Sequence, residues 1–410
     1  MSNSIRTKNS ITQDPRDESF VQNPYRLYSQ LHQTGKPVFW EDYGFWCLSG
    51  FASVNQVLRD RRFARLPPAG YEKPPLPAHL KDFAEAEKYS LLALEPPAHT
   101  RLRKLVNGAF VSRQVDQMAD DIANIANHCI DRFAHDGTVE LLEHYATTIP
   151  VVVISKLLGV PESAGKQLLA WSHAMVRVYT LTQTRAEEIE ANTAAIEFQA
   201  YLRKLISRKR LAPDGNLISH LLTQEDDEKP LSEEEIISVV ILLLNAGHEA
   251  TVHQLGNTIA TLLNHYPDNH RATLLDLLAT DQGANALVAE SLRFAAPLHL
   301  FTRYAQEDLE LEGGVSLAAG EQIGLLLAAA NRCPIRFQES NRFNPDRTDG
   351  ASLSLGAGIH FCVGAQLAKL ELRIALQVLF KRLPDLRLCA DARYQNIYHF
   401  HGLETLWVSW

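Results

Sequence analysis

The chain has 410 residues, of which 46% are hydrophobic and 21% are charged. This composition is typical of a soluble globular protein and excludes a disordered, collagen-like or disulfide-scaffold chain. The formal net charge of -8 excludes the global basic field that drives non-specific binding to nucleic acids, so we expect no nucleic-acid partner.

The cysteines and the N-terminus indicate where the protein resides. Five cysteines are spread along the chain without a CxxC pair, which argues against a zinc ribbon or redox dithiol and favours a reducing compartment. The first 17 residues are polar and lack the apolar core of a signal peptide. No uncharged apolar stretch reaches the roughly 18 residues that cross a bilayer. We therefore expect a cytoplasmic protein without a membrane anchor.

Helices dominate the elements predicted along the chain. Near the N-terminus, apolar residues on both sides of the turn Asp42-Tyr43-Gly44 predict a β-hairpin over 37–49. Clustered prolines then predict a surface loop over 66–77. Apolar residues at helical spacing predict helices over 101–110, 115–133, 149–158, 187–207, 233–263, 272–278, 284–294 and 363–383.

The C-terminal third changes character. Short strands are predicted over 301–305 and 309–311, an irregular run over 331–358, and a final strand over 405–410. No internal repeat or low-complexity linker divides the chain. We therefore predict one mainly α domain with small β-sheets over residues 1–410, its β-rich parts lying near 35–65 and 295–320.

The most informative segment is a glycine-rich loop before the last helix, Leu355-Gly356-Ala357-Gly358-Ile359-His360-Phe361-Cys362-Val363-Gly364. A thiolate at the start of a helix is favoured by the helix dipole and by free backbone N–H groups, as a metal-ligating sulfur requires. The glycines allow a large planar ligand to approach the backbone. Taken separately, a buried cysteine is more often a small hydrophobe, and such a loop is more often a turn or phosphate cradle.

The complete arrangement G-x-G-x-H-x-C-x-G is more specific, and it resembles the haem-binding loop of the cytochrome P450 superfamily. The resemblance implies a large helical domain around a buried haem b, with Cys362 as the thiolate ligand of the iron and His360 near a haem propionate. Leu355, Gly356 and Gly364 then also contact the cofactor. Leu355 stands where the family usually has Phe, a departure that alters packing on the proximal side of the haem.

Two charged motifs extend the resemblance. Glu290 and Arg293 lie three residues apart on a predicted helix, which alone indicates a solvated pair. With the cysteine loop downstream, they resemble the structural ion pair of the family, whose third member matches Arg342 in Asn341-Arg342-Phe343-Asn344-Pro345.

Further basic residues match the positions that bind the haem propionates. His99 and Arg103 lie four residues apart and so share a helix face, from which a guanidinium can bind a carboxylate. Without the cysteine loop, a charged surface helix would be the preferred interpretation. Arg303, in Thr302-Arg303-Tyr304-Ala305, resembles an additional propionate ligand.

The helix over 233–263 matches the distal helix above the haem. Its HExxxH run does not predict a zinc site, because His248 and His253 are separated by about 140° around the helix axis. The resemblance implies that Ala246 and Gly247 leave room for dioxygen and that Glu249 is the distal acid.

The neighbouring positions raise a question about proton delivery. Ala250 stands where the family commonly has a catalytic Thr, and Thr251 is rotated away by about 100°. We therefore assign Glu249, Ala250 and Thr251 to the catalytic region, with protons supplied by water, by a substrate hydroxyl or by a shifted Thr251.

The resemblance also implies a function. We expect a monooxygenase that inserts one atom of O2 into a hydrophobic small organic substrate. Its electrons would come from NAD(P)H through a separate ferredoxin or flavodoxin and its reductase, and we expect a monomer. The alternatives are a peroxide-using or non-hydroxylating haem-thiolate enzyme, and a non-enzymatic haem-binding sensor. The residues expected to line the substrate pocket are Leu243, Asn245, Ala246, Pro297, Leu298, His299 and Phe400.

Overall fold

The computed structural model describes residues 9–71, 75–109, 115, 117–179, 184–223, 225–226, 229–311 and 313–410. The α-helices are α1 (Glu18–Gln22), α2 (Tyr25–Thr34), α3 (Phe51–Arg59), α4 (Lys81–Glu87), α5 (Ala98–Ala109), α6 (Ala119–Asp131), α7 (Thr148–Leu158), α8 (Gly165–Val176), α9 (Arg185–Leu211), α10 (Leu217–Leu221), α11 (Glu233–His265), α12 (Arg271–Leu278), α13 (Asp281–Phe294), α14 (Leu327–Ala330) and α15 (Ala365–Arg382).

The strands are short by comparison. They are β1 (Ser10–Ile11), β2 (Val38–Trp40), β3 (Phe45–Leu48), β4 (Phe63–Ala64), β5 (Thr138–Glu140), β6 (Glu225–Asp226), β7 (Lys229–Pro230), β8 (Leu300–Ala305), β9 (Leu309–Leu311), β10 (Val315–Leu317), β11 (Gln322–Leu326), β12 (Arg387–Leu388), β13 (Arg393–Tyr394), β14 (Leu403–Thr405) and β15 (Trp407–Ser409). A mainly α fold with small β-sheets is thereby confirmed.

The principal sheet joins the two predicted β-rich regions. Its six strands lie in the order β1-β2-β3-β11-β8-β4. The predicted hairpin is its β2–β3 pair, in which Val38 lies opposite Cys47 and Trp40 opposite Phe45. Gly44 closes the turn with a φ of 73°, a left-handed conformation that glycine adopts without a Cβ penalty.

Helix α11 lies at the centre of the molecule. It begins with a capping box, in which Ser232 and Glu235 each accept a hydrogen bond from the other's backbone N–H. Its neighbours are α4, α7, α8, α9, α10, α13 and α15, and nearly all of its apolar residues belong to the largest hydrophobic cluster. Of the described residues, only this helix is long and apolar enough to cross a membrane, and 78% of its most apolar window is buried inside the protein.

Most predicted boundaries lie close to those observed. The predicted helix over 363–383 begins two residues later, at Ala365, and the predicted strand over 405–410 is two strands, β14 and β15, separated at Leu406. Residue 110 of the predicted helix over 101–110, residue 116 of the predicted helix over 115–133, and residues 72–74 of the predicted loop over 66–77 lie outside the described residues. The organisation as a single domain over 1–410 stays a prediction.

Candidate functional site

The glycine-rich loop before α15 is closed by its own backbone. The N–H of Cys362 donates to the carbonyl of Leu355 at 2.9 Å. Gly356 and Gly358 both have a φ of 71°, and a Cβ on Gly358 would lie 2.2 Å from the Leu58 carbonyl oxygen. Only glycine therefore fits this position without moving α3. The loop presents Cys362 ahead of α15, whose N-cap residue is Gly364.

Opposing influences act on the Cys362 thiol. Burial raises its pKa, whereas the N–H of Gly364 and the charges of Arg103 and Lys369 favour the thiolate. These groups surround the sulfur with positive potential, and a bound cation would complete the stabilisation of the thiolate.

Basic side chains from three separate segments meet beside this loop. His99 and Arg103 come from α5, Arg303 from β8 and His360 from the loop itself. The rings of His99 and His360 have centroids 4.4 Å apart, and Nη2 of Arg103 donates to the Phe361 carbonyl at 2.5 Å. Glu95 offsets part of this charge, because its carboxylate lies 3.3 Å from Nε2 of His360.

Two of these basic groups are buried at an energetic cost. His99 is only 2% exposed, and its Nε2 is buried without a hydrogen-bond partner. Burial, with the charges of His360 and Arg103, lowers the pKa of His99 to about 4. Burial and the charge of Arg65 lower the pKa of Arg303 to about 10. Such a buried basic cluster is suited to an anionic ligand with several acceptor oxygens.

Near its middle, α11 has small side chains that are more exposed than most other residues of this mostly buried helix. Leu243 and Asn245 are buried, but Ala246 is exposed and Ala250 is partly exposed. Ala246 and Ala250 are four residues apart and share this face. Gly247 faces α7 instead, because a Cβ there would lie 3.3 Å from Cγ1 of Ile154. Any contact between Gly247 and a cofactor would therefore come from its backbone.

Two polar residues of α11 are held differently. Oγ1 of Thr251 donates to the carbonyl of Gly247 at 3.1 Å, so this hydroxyl is engaged within its own helix. Asn245 is 6% exposed, and neither its Oδ1 nor its Nδ2 has a hydrogen-bond partner. A buried amide without hydrogen-bond partners destabilises the protein. It is suited to a site where a polar group of a ligand can form hydrogen bonds with it.

Glu249 is surrounded by histidines. Its Oε1 lies 3.2 Å from Nε2 of His253, and its Oε2 lies 3.5 Å from Nε2 of His248 and 3.8 Å from Nε2 of His173. Burial opposes ionisation of Glu249, but the hydrogen bond from His253 and the charges of the three histidines hold its pKa at about 2. Glu249 is therefore a carboxylate at neutral pH.

The remaining pocket candidates lie where the chain enters β8. Leu298 forms an isolated antiparallel bridge with Phe400, and Pro297 accepts a hydrogen bond from the N–H of His401. The structure thus brings together two segments that are about a hundred residues apart in sequence.

His299 does not share the side of this segment that Leu298 occupies. It is 0% exposed, and its Nδ1 lies 2.8 Å from the Tyr28 hydroxyl within a cluster that includes Tyr398 and His401. The expectation that His299 is a polar group of the substrate pocket is therefore wrong. The physical reason is that successive side chains of an extended segment point to opposite sides.

Comparison with known proteins identifies the family. A family model described as Cytochrome P450 matches residues 283–402. Over 404 residues the chain is 33% identical to the biotin biosynthesis cytochrome P450 of Bacillus subtilis (strain 168), covering 98% of this chain and 99% of that relative. The chain belongs to the cytochrome P450 family.

Other matches cover this cytochrome P450 equally fully. It is 35% identical over 407 residues to the cytochrome P450 monooxygenase PikC of Streptomyces venezuelae, covering 96% of this chain and 92% of that relative. The crystal structure of P450BioI in complex with an acyl carrier protein ligated to hexadec-9Z-enoic acid has a TM-score of 0.87 at 32% identity, covering 96% of this chain and 100% of that one. This protein is accordingly an oxidoreductase of a haem-iron monooxygenase family.

The residues of this cytochrome P450 fit the haem that its family implies. Cys362 would supply the sulfur, and the unpartnered Nε2 of His99 and the buried guanidinium of Arg303 would supply donors for carboxylate oxygens. A haem carries one metal ion and two propionates, which are the groups that this arrangement of sulfur and buried bases would stabilise.

The structural ion-pair network differs from the one expected. Nη2 of Arg293 donates to Oε1 of Glu290 at 2.7 Å, and both side chains are buried. The third member is Arg347, whose Nε lies 3.4 Å from the same Oε1. The assignment of Arg342 to this position is wrong, because the Arg342 side chain is 70% exposed and pairs with Glu339, so that only its carbonyl accepts from Arg293.

Two further residues of this site went unrecognised in the sequence. Glu95, which pairs with His360, also accepts a hydrogen bond from the backbone N–H of Arg65 at 2.6 Å. Arg347 lies two residues after Pro345, within the same irregular run that contains Arg342. Phe343 between them is buried, but the spacing of the two arginines does not indicate which of them faces inward.

Proposed function

We propose that this cytochrome P450 binds haem b through Cys362 and inserts one oxygen atom of O2 into a hydrophobic small organic substrate. The observation that carries the proposal is the convergence of the Cys362 loop with the buried His99 and Arg303 and the half-buried Arg103. Bound haem supplies the redox chemistry that activates dioxygen. The chain supplies substrate binding, orientation and proton transfer.

The substrate is held by a mostly apolar wall. Leu243, Ala246, Leu298 and Phe400 offer apolar surface, whereas Asn245 offers an amide that lacks a protein partner. A hydrophobic molecule with one hydrogen-bonding group suits such a pocket. The carrier protein bound to P450BioI is ligated to hexadec-9Z-enoic acid, which is a molecule of this chemical kind.

Proton transfer on the distal side is assigned to Glu249 and its surroundings. Glu249 is ionised and accepts a hydrogen bond from Nε2 of His253, so its carboxylate can orient a proton donor such as water and relay a proton that it accepts only transiently. Thr251 donates to the carbonyl of Gly247 and not toward the face that Ala250 shares with Ala246. The space beside Ala250 then holds the water or substrate hydroxyl that completes the path.

Electrons come from NAD(P)H through a separate ferredoxin or flavodoxin and its reductase. Lys369 on α15 is exposed and lies close to the sulfur of Cys362, which supports docking of an acidic partner on this side of the protein. We infer a cytoplasmic monomer without a membrane anchor; the burial of α11 inside the protein argues against its crossing a membrane.

Isotope labelling of the product tests the proposal. The haem-bound protein is incubated with hexadec-9Z-enoic acid and related hydrophobic compounds under ¹⁸O2, with NADPH, a ferredoxin and its reductase. We expect one ¹⁸O atom in each hydroxylated product. Turnover with hydrogen peroxide alone, without any reductase-dependent turnover, would instead establish the peroxide-using alternative, and an unlabelled product would exclude oxygen insertion from O2.

A further inference from the structure

A second cluster of potential ligands lies between α8 and α11. His173 projects from α8, and His248 and Glu249 project from α11. One ligand atom from each residue lies within 4.8 Å of the other two. The rings of His173 and His248 have centroids 5.4 Å apart. The cluster brings together two imidazoles and one carboxylate, the ligand set that suits a zinc-class divalent cation.

His248 is already arranged as a metal ligand. Its Nδ1 lies 2.8 Å from the carbonyl oxygen of Leu244, so Nδ1 carries the proton and donates it to that carbonyl. The lone pair is therefore on Nε2, which is buried and has no hydrogen-bond partner. The His248 side chain is 3% exposed. A histidine whose other nitrogen donates to a carbonyl is the usual arrangement in metal sites.

Glu249 is oriented by a different partner. Its Oε1 accepts a hydrogen bond from Nε2 of His253 at 3.2 Å, which directs Oε2 toward the other two histidines. His253 is itself fixed, because its ring lies directly against the position that a Cβ on Gly402 would occupy. The two histidines of the HExxxH run therefore have separate tasks: His248 faces the cluster, and His253 supports the carboxylate from its far side.

The distances fit tetrahedral zinc after a small movement. Zinc bonds of about 2.0–2.2 Å to nitrogen and oxygen place neighbouring ligand atoms about 3.4 Å apart. Oε2 of Glu249 lies 3.5 Å from His248 and 3.8 Å from His173. The His173 side chain is 47% exposed, so it can rotate inward and still leave a fourth position open to water. Three protein ligands and one open position are typical of accessible zinc sites.

We propose that His173, His248 and Glu249 bind one zinc-class divalent cation, with water as the fourth ligand. The ion links α8 to α11 and occupies the carboxylate that the proposed function assigns to proton transfer. Zinc therefore inhibits turnover by withdrawing Glu249, a consequence that rests on the proposed function. Binding itself does not depend on that function.

Zinc binding by the haem-bound protein is the direct test. Zn²⁺ is titrated by isothermal calorimetry, and a crystal grown with Zn²⁺ is examined by anomalous diffraction at the zinc edge. We expect one ion per chain and an anomalous peak between the three side chains. Ca²⁺ at the same concentration is expected not to compete, because it prefers oxygen ligands.

Two matched substitutions locate the ligand. His173→Gln is expected to weaken zinc binding by about tenfold or more, the loss seen when metal sites are perturbed. His128→Gln replaces an exposed histidine on α6 and is expected to leave the affinity unchanged within about twofold. Equal affinity in the wild type and His173→Gln, or an ion bound elsewhere, would overturn the proposal.

The effect of zinc on turnover is measured in a separate experiment. Zinc is expected to slow NADPH-dependent product formation in the wild type at concentrations that fill the site, and to slow His173→Gln only at correspondingly higher concentrations. Zinc bound at the site without any effect on turnover would refute the assigned role of Glu249 and keep the metal site. Inhibition that is identical in both proteins would refute the link between the site and turnover.

Discussion

Arg347 and Arg342 should differ sharply in their contribution to stability, although both lie in the irregular run before the cysteine loop. The carboxylate of Glu290 is 3% exposed and accepts hydrogen bonds from Arg293 and from the backbone N–H of Asn344, with Arg347 as a second cation. The Arg347 side chain is 8% exposed. Replacing it with leucine removes one partner from a buried ion pair, which destabilises a protein by about 3–5 kcal/mol.

The matched substitution at Arg342 should have little effect. Arg342 and Glu339 are 70% and 64% exposed, and such solvated pairs contribute less than about 1 kcal/mol. With an unfolding entropy of about 2.1 cal/mol/K per residue, the loss at Arg347 corresponds to a melting temperature lower by about 4–6 °C. Arg342→Leu should lower it by less than about 1 °C.

Thermal unfolding of the haem-bound proteins, followed by far-ultraviolet circular dichroism at one scan rate, measures this difference. Arg347→Lys serves as a control, because it keeps the charge and loses the planar guanidinium that contacts several acceptors. It should fall between the wild type and Arg347→Leu. Equal losses at the two arginines, or a larger loss at Arg342, would refute the assignment of Arg347 to the buried network.

Two further predictions concern α11 and α15. Ala250→Thr places a hydroxyl on the face shared with Ala246, and it should raise the product formed per NADPH consumed; an unchanged ratio would show that water or substrate already delivers protons fully. Burial raises the pKa of Glu371 from 4.5 to about 8, so between these values the folded protein holds a proton that the unfolded chain releases; stability falls as pH rises across this range and levels off above it. Glu371→Gln should therefore gain stability over the wild type between pH 5 and pH 8, by at most about 5 kcal/mol, as measured by melting temperature; a pH-independent difference would contradict the burial of this carboxyl.

The sequence was sufficient to predict those parts of the fold and site where a motif fixes both the residue types and their spacing. The cysteine loop combines two glycines at a φ of 71°, a histidine beside His99 and a cysteine ahead of α15, so its residue types report the backbone geometry directly. Helix α11 could be predicted equally well, because a long and largely apolar segment follows a capping box; the helix has 33 residues, most of them buried. The fold class followed from such long, strongly periodic segments.

Other features depended on packing between distant segments. Helices α2, α3 and α8 have Pro24, Gly50 and Ala164 as N-cap residues, none of which caps its helix through a side chain, and the sequence patterns did not predict these helices. The choice between Arg342 and Arg347 depends on which way an irregular run turns, and spacing does not encode that direction. The sequence did not indicate that His173 lies near Glu249, because their proximity depends on the packing of α8 against α11.

The optical spectrum of the reduced, CO-bound protein tests the central claim, that Cys362 ligates the iron of a bound haem. The account predicts the long-wavelength Soret band of a thiolate-ligated haem in the wild type. In Cys362→His the band should move to the shorter wavelength of histidine ligation, while His99 and Arg303 retain the haem. A wild-type spectrum without the thiolate band, or one that Cys362→His leaves unchanged, would contradict the account.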